Sequence, residues 1–574
     1  MLKRTLSILI PWLLLFYLSS CNQQTSVNTP AISEDPAVIA KGETSFNQYC
    51  GGCHNFKQDG IGPQLGGVTT SAPTEWIGRF VQNPTQVIKS GDQRANELLK
   101  KYKVTMPSFP NLSKDEINNI IAFLNTHALP GSKLVKGDSS IANPIPESIK
   151  RPTLTVGLEL TTQMPASTTD SQAPLARITK LDVEPTTGNL FIVDLRGKLY
   201  KLQNNKPVVY MDMAKLKPKF IHEPRVATGF GSFAFHSDFA KNGLLYTTHA
   251  EAPKSGKADF SYADSIKVTL QWVLTEWKTT TPNAANFSGT GRELFRMNMV
   301  TGMHGVQEIA FNPLCKPGDE DYGLLYVCIG DGAAVEEGYP FLAHSTNKVW
   351  GTILRLDPAG NNSSNGHYGI PQTNPFANQP TNGLGEIYAY GFRNPHRISW
   401  TKSGQLLACN IGQGNIEAID LVLPGHDYGW PIREGNFLLD PGGDLNKIYP
   451  LATNDSVYKI TYPIAAYDHD EGIAISGGLE YYGSRIPELR GKYLFGDIAS
   501  GRLFYINIAD IKMGKQAPIM EWKISLNKSP TTLKALCKND RADLHFGRDA
   551  EGELYILTKT DGKVYKLVSA QNDR

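Results

Sequence analysis

Hydrophobic and polar positions along the chain fall into three patterns. The first is an apolar run from Thr5 to Leu18 behind Lys3 and Arg4. It is shorter than the roughly 20 residues a membrane-spanning helix needs, and it has the basic head and apolar middle of a secretory leader. The second pattern is helical. Gly42 to Tyr49 puts Phe46 and Tyr49 on one side, and Leu112 to His127 repeats Ile117, Ile120, Ile121 and Leu124 at i, i+3, i+4, i+7. Ser113, three residues before Glu116, predicts a capping box where that last helix begins. The third pattern is strand-like and fills the chain beyond a Gly-, Ser- and Pro-containing linker over 131–150.

In this third region a glycine followed by a short apolar run recurs. The copies are Gly188-Asn-Leu-Phe-Ile-Val, Gly243-Leu-Leu-Tyr-Thr-Thr, Gly323-Leu-Leu-Tyr-Val-Cys, Gly404-Gln-Leu-Leu-Ala-Cys, Gly491-Lys-Tyr-Leu-Phe-Gly and Gly552-Glu-Leu-Tyr-Ile-Leu. Six degenerate copies at intervals of roughly 70 residues predict a ring of stacked sheets, a six-bladed β-propeller. A single blade cannot bury both its faces, so neighbours must stack and the ring must close. The expected architecture is mainly β: leader 1–20, tether 21–37, a small all-α domain 38–130, linker 131–150 and a propeller 151–574.

Charge narrows the partners. Lys and Arg number 57 against 55 Asp and Glu, a net +2, which excludes a protein built to coat nucleic acid. Hydrophobic residues at 40% and charged residues at 20% describe a soluble globular chain. The 53 glycines suit a fold made of turns and strands. Seven cysteines are too few for a disulfide scaffold, so each is read by itself.

Leu18-Ser19-Ser20-Cys21 resembles a bacterial lipobox, with Cys21 as the lipid carrier; the alternative is an ordinary leader with an incidental Cys. The resemblance implies an exported chain, lipid-anchored to a bacterial cell membrane and facing the periplasm or the exterior. Cys50-Gly-Gly-Cys53-His54 offers two thiols and an imidazole from one turn, and resembles the attachment motif of c-type cytochromes. A thioredoxin-like pair or half a zinc site would share the spacing, but no second Cys pair lies nearby. Ile61-Gly-Pro63 resembles the loop that follows the haem motif, and Thr105-Met106-Pro107 the segment that supplies the sixth ligand. One covalent haem c, with His54 and Met106 on the iron, is an electron carrier because both axial positions are filled.

Several segments that interrupt the strand repeats resemble the glucose/sorbosone dehydrogenase family, the six-bladed propellers related to soluble pyrroloquinoline quinone (PQQ) glucose dehydrogenase. They include Gly231-Ser-Phe-Ala-Phe-His-Ser-Asp-Phe239, Met303-His304-Gly-Val-Gln-Glu, Gly330-Asp331-Gly332, Gly391-Phe-Arg-Asn-Pro-His396, Ile411-Gly-Gln-Gly-Asn-Ile-Glu417 and Asp427-Tyr-Gly-Trp-Pro431. The resemblance implies PQQ and Ca2+ as cofactors and a sugar or polyol as substrate. It makes His304 the base, places Arg393 and Asn394 over the quinone, and has the turn at Gln413 and Gly414 bind calcium through backbone carbonyls. Arg502 and Arg541 are its candidates for the PQQ carboxylates. Glu417 is expected either to position the calcium turn or to sit in solvent. Tyr428 and Trp430 are expected in blade packing, with the floor of the cofactor site as the alternative, and His236 is expected to be structural.

Two positions depart from the family pattern: Met303 stands where an acid is expected, and Ala227 where an amide or acid is expected. The expected function is a membrane-anchored quinohaemoprotein dehydrogenase that passes electrons to its own haem and on to a downstream redox protein or respiratory-chain acceptor. A tethered haem has a far higher effective concentration than a diffusing partner. The alternatives are a cofactor-free propeller that binds a glycan or protein, and an oxidoreductase with another cofactor. Cys315, Cys328, Cys409 and Cys537 are open between two disulfides and free thiols.

Overall fold

The computed structural model describes residues 32–51, 53–54, 56, 62–102, 104–127, 140–151, 154–168, 172–225, 227–379 and 381–572. The leader, Cys21 and the first part of the tether lie outside these residues, as do Gly52 and Ile61.

Among the described residues the N-terminal domain is built of six helices: α1 (Pro36–Tyr49), α2 (Val68–Ser71), α3 (Thr74–Gln82), α4 (Pro84–Lys89), α5 (Gln93–Tyr102) and α6 (Lys114–Asn125). The first starts at Pro36 rather than Gly42, because Asp35 caps it by accepting from the Ala37 N–H and Pro36 suits the first turn. The capping box on α6 forms as expected: Ser113 Oγ accepts from Glu116 N at 3.2 Å, and Glu116 accepts from Ser113 N at 2.8 Å. The residues Ile117, Ile120, Ile121 and Leu124 are buried against α1 and α3. The hydrophobic pattern did not announce α5, which is Gln-, Arg-, Asn-, Glu- and Lys-rich and buries only Ala95. Helices α1 and α6 touch at Gly42, where an added Cβ would lie 1.9 Å from the Asn119 carbonyl oxygen. Gly42→Val is expected to push the helices apart and cost about 3 kcal/mol. The denaturant midpoint of the helical signal measures this, and an unchanged midpoint would contradict the close crossing.

The large domain is a ring of six four-stranded antiparallel blades. Their innermost strands are Ile178–Val183, Phe230–Phe235, Glu308–Phe311, Pro395–Trp400, Ile475–Glu480 and Leu544–Arg548. The second strands are Leu190–Asp194, Leu244–Glu251, Leu325–Ile329, Leu406–Asn410, Lys492–Asp497 and Leu554–Thr558. Each of the six glycine-led runs therefore marks the second strand of one blade. The six leading glycines all have φ between 66° and 87°, in the turn that joins first strand to second. This backbone region is open to glycine without strain, which is why the repeat is written in glycine.

Closure uses both ends of the domain. Leu154–Gln163 is the outermost strand of the last blade, antiparallel to Lys563–Asn572. Along Thr155–Leu158 it also runs parallel to Lys523–Leu526 of the fifth blade. The hydrophobic cores lie between consecutive blades, as stacking requires. A buried network links the innermost strands of the first, third and fourth blades. In it Lys180 Nζ meets Glu308 Oε1 at 2.5 Å, and Arg397 Nε lies 3.4 Å from Glu308 Oε2.

Within the fourth blade the chain between Ile416–Leu421 and Ala465–Asp468 adds a small sheet, Arg433–Glu434, Phe437–Leu439 and Ile448–Tyr449. The described part of the linker is strapped to the ring, with Ile141 N donating to Ile448 O and Ile149 N to Glu471 Oε1. All four undecided cysteines are free thiols, with Cys328 and Cys409 buried inside strands. Among the described residues no helix is long and apolar enough to cross a membrane.

Candidate functional site

The loops that enter the innermost strands converge on one mouth of the ring. His304 stands in the loop before Glu308–Phe311, with φ +47°. Its Nδ1 lies 2.7 Å from Asp331 Oδ1, just beyond the second strand of the same blade. Asp331 is fully buried, which opposes its ionisation. The His304 contact, the nearby Arg393 charge and the Ala333 N–H nevertheless hold its carboxyl below the ordinary range. Trp430 Nε1 fixes the other oxygen at 2.9 Å. With Nδ1–H given to Asp331, Nε2 is the nitrogen left to accept a proton.

Arg393 also lines the mouth and is held on several sides. Its Nε donates to Gln413 Oε1 at 2.9 Å, Nη1 to Gly412 O at 2.5 Å and Nη2 to Glu336 Oε1 at 2.8 Å. Asn394 follows it on the same cavity wall. Ligand atoms of His304, Asp331 and Glu336 come within 4.8 Å of one another, close enough to suggest a metal cage. The guanidinium bonded to Glu336 instead supplies the positive charge there, so the group is built as a base, its orienter and a cation.

The turn at Gln413 and Gly414 has an organising centre that sequence reasoning missed. Glu434 Oε1, from the inserted sheet, accepts from the N–H groups of Gln413, Gly414, Asn415 and Ile416 at 2.7–3.1 Å. In a trans peptide the carbonyl points opposite to the N–H. The carbonyls of Gln413 and Gly414 therefore face away from Glu434, and neither accepts a hydrogen bond from a described residue. Two such free carbonyl oxygens suit a hard cation. Gln413 lines the cavity and Gly414 does not. Glu417 is not in solvent: it is fully buried and accepts from His469 Nε2, Gly412 N and Ile475 N beneath this turn.

The two other arginines separate. Arg541 lines the cavity, paired with Asp543 at 3.0 Å. Arg502 does not line it. Its guanidinium is bonded to Glu521 at 2.9 and 3.0 Å and to Glu471, as a tie within the fifth blade. One cation on the cavity wall that the sequence did not single out is Lys559, whose amine burial pushes down to about 8 even though Asp543 opposes the shift. On the cavity floor lie His396 and His545, both buried and held neutral by that burial, with Nδ1 of the first and both nitrogens of the second unpaired. Neutral imidazoles beside Arg541 and Lys559 fit a ligand rich in carboxylates and carbonyls, as PQQ is.

The remaining sequence candidates fall as follows. Tyr428 stacks on Phe392 at 4.4 Å in blade packing, whereas Trp430 packs in a separate cluster with Ile416, Leu439 and Ile448 while steadying Asp331. His236 caps a turn away from the mouth by accepting from Asp238 N. Met303 and Ala227 both line the cavity, and Ala227 O receives the Gln307 amide at 2.8 Å.

On the helical domain, His54 Nδ1 lies 2.8 Å from Pro63 O, which fixes the ring and directs Nε2 outward. Burial, with Cys53 beside it, pushes the Cys50 thiol up to about 12. Met106 packs half-buried against the domain core. The decisive arrangement is spatial: Gly51, Cys53, His54 and Met106 line the same cavity of about 960 Å³ as His304, Arg393 and Gln413.

The fold and site thus define a closed six-bladed propeller with a c-type cytochrome domain set at its mouth. The sequence profile of the glucose/sorbosone dehydrogenase family matches residues 178–566, and that of cytochrome c matches residues 39–128. The chain belongs to the glucose/sorbosone dehydrogenase family and carries a cytochrome c domain. It is similar to the HIPL2 protein of Arabidopsis thaliana, 27% identical over 316 residues, 48% of this chain and 43% of that one. It is 23% identical over 314 residues to quinoprotein glucose dehydrogenase B of Acinetobacter calcoaceticus, covering 50% of this chain and 58% of that one. The chain spans about half the length of the curated relatives it matches. Among solved structures it is similar to the apo-form of the soluble aldose sugar dehydrogenase of Escherichia coli, with a TM-score of 0.49 and 18% identity over 73% of this chain and all of that one.

Proposed function

We propose that this chain is a quinohaemoprotein dehydrogenase, exported and anchored through Cys21, that oxidises a hydroxyl of a sugar or polyol over the propeller mouth. The electrons leave through a haem c on Cys50, Cys53, His54 and Met106, for an external one-electron acceptor such as a downstream redox protein. The observation behind this reading is the single cavity shared by the haem-motif residues and by His304 and Arg393. In this reading Arg393, Asn394, Arg541 and Lys559 hold PQQ, and the carbonyls of Gln413 and Gly414 hold Ca2+. When bound, the quinone supplies a two-electron acceptor beside the substrate.

The protein's own part is acid–base and electrostatic. His304 Nε2 takes the hydroxyl proton, and buried Asp331 stabilises the imidazolium that forms. Arg393, already fixed by Gln413, Gly412 and Glu336, needs no reorganisation to stabilise negative charge that develops near it.

The test is to load the purified protein with PQQ and Ca2+, add aldoses or polyols, and follow the c-type absorption band. Haem reduction that depends on both additions is expected; a loaded protein whose haem stays oxidised refutes the reading. A second reading, a cofactor-free binding module, has behind it the similarity to the Hedgehog-interacting protein of Mus musculus, 25% identical over 405 residues. Failure to take up PQQ at any calcium concentration would favour it.

Lys559 gives the site a pH signature. Its amine is charged below about pH 8 and neutral above, so affinity for an anionic cofactor is expected to fall as pH rises through 8. Lys559→Gln should flatten that dependence in a titration of PQQ uptake. The same shift acts on stability with the opposite sign. The unfolded amine holds its proton up to an ordinary value of 10.5, so cofactor-free protein gains stability between about pH 8 and 10.5.

A further inference from the structure

The segment Glu223-Pro224-Arg225 lies in the loop ahead of the second blade, and Glu223 and Arg225 line the cavity. Arg225 has φ +71°, a left-handed conformation that is strained for a non-glycine residue and persists only where its surroundings enforce it. Gly302 packs beneath: a Cβ there would lie 2.7 Å from Pro224 O and 3.5 Å from Arg225 Cβ. The guanidinium is only partly exposed, yet it makes no hydrogen bond or ion pair with a described residue. It points across the cavity to the helical domain. A Cβ added at Gly51 would stand 3.0 Å from its central carbon and 3.1 and 3.3 Å from its terminal nitrogens. The Arg225 charge also reaches Cys53 on one side and Glu336 and Glu337 on the other. Glu336 is the residue bonded to Arg393.

We infer that Arg225 and the side-chain-free Gly51 form the seat on which the propeller holds the haem-bearing loop over its cavity. A planar cation laid flat on a bare peptide brings the two backbones close, and any side chain at 51 would wedge them apart. A second contact, Thr85 Oγ1 to Asp540 Oδ2 at 2.9 Å, steadies the rim. Arg225 is then a positioning residue: it sets where the haem loop sits and touches no reacting atom. The inference rests on the proposed reading only in so far as Cys50, Cys53 and His54 carry haem. It does not depend on which cofactor occupies the propeller.

The experiment uses the full chain with haem attached and without PQQ, and reads backbone amide exchange over 222–228 and 534–541. In Gly51→Leu the haem spectrum should stay c-type while exchange in both segments rises about tenfold. Adding Arg225→Ala to Gly51→Leu should return much of the protection, because the side chain that collides has been removed. Two independent residues would instead give additive losses. Protection unchanged in Gly51→Leu, or losses that merely add, overturn the seat. So does Arg225→Ala if it weakens PQQ uptake and leaves exchange untouched, since the guanidinium would then serve a quinone carboxylate. Loss of haem itself would count against the proposed function and is seen separately in the spectrum.

Discussion

His304→Ala is expected to lower substrate-driven haem reduction by about 10²- to 10⁴-fold, the range that removal of a general base costs. The haem spectrum and the PQQ uptake should change little, because His304 lies in the propeller and is held by Asp331, not by the haem loop. The sharper variant is Asp331→Asn. Asp331 accepts from His304 Nδ1, Trp430 Nε1 and Ala333 N while fully buried. An amide that turns its NH₂ toward Nδ1 favours the tautomer with the proton on Nε2, where the base must be free. Its rate loss should approach that of His304→Ala, and the loss should persist at high pH, where a shifted base would recover. Stopped-flow traces of haem reduction across a pH series measure both. Wild-type rates in either variant would remove His304 from its proposed role.

Glu434→Ala is expected to cost about 3–5 kcal/mol, the penalty for removing one partner from a buried charged network. Four backbone N–H groups and the Asn415 amide lose their acceptor together. The turn would no longer hold the Gln413 and Gly414 carbonyls in one direction, so calcium affinity should fall with stability. Glu434→Gln separates the effects, because it keeps an oxygen for the N–H groups and loses the charge. Its stability cost should be smaller, about 1.5–3 kcal/mol. Denaturant midpoints and calcium calorimetry give the two readings, and a Glu434→Ala protein that melts and binds calcium as wild type does would refute the argument.

What the sequence made legible was local. The haem motif is a contiguous run, the capping box spans four residues, and each blade announces its second strand by a glycine that must take a left-handed turn. The ordered loop segments located His304, Arg393 and the turn at Gln413. The residues that organise these groups were hidden because the fold recruits them from elsewhere. Glu434 sits on a small sheet inserted within the fourth blade. Lys559 follows the second strand of the sixth and looks like any surface lysine until burial changes it. Arg502 shows the reverse error. An arginine near the right loop was matched to a carboxylate ligand, whereas Glu471 and Glu521 had already claimed it. A signal for Asp331 was present in Gly330-Asp331-Gly332, where a charged residue between two glycines marks a turn of special use.

The strand that closes the ring also sets an order of manufacture. Leu154–Gln163 leaves the ribosome about 400 residues before its partner Lys563–Asn572. Through most of synthesis this strand therefore has no blade to join, while the residues of the helical domain have already emerged ahead of it. The propeller becomes a ring only when the last strand arrives. A nascent chain, or one cut short before Lys563, would thus carry an open ring whose first strand still lacks its antiparallel partner.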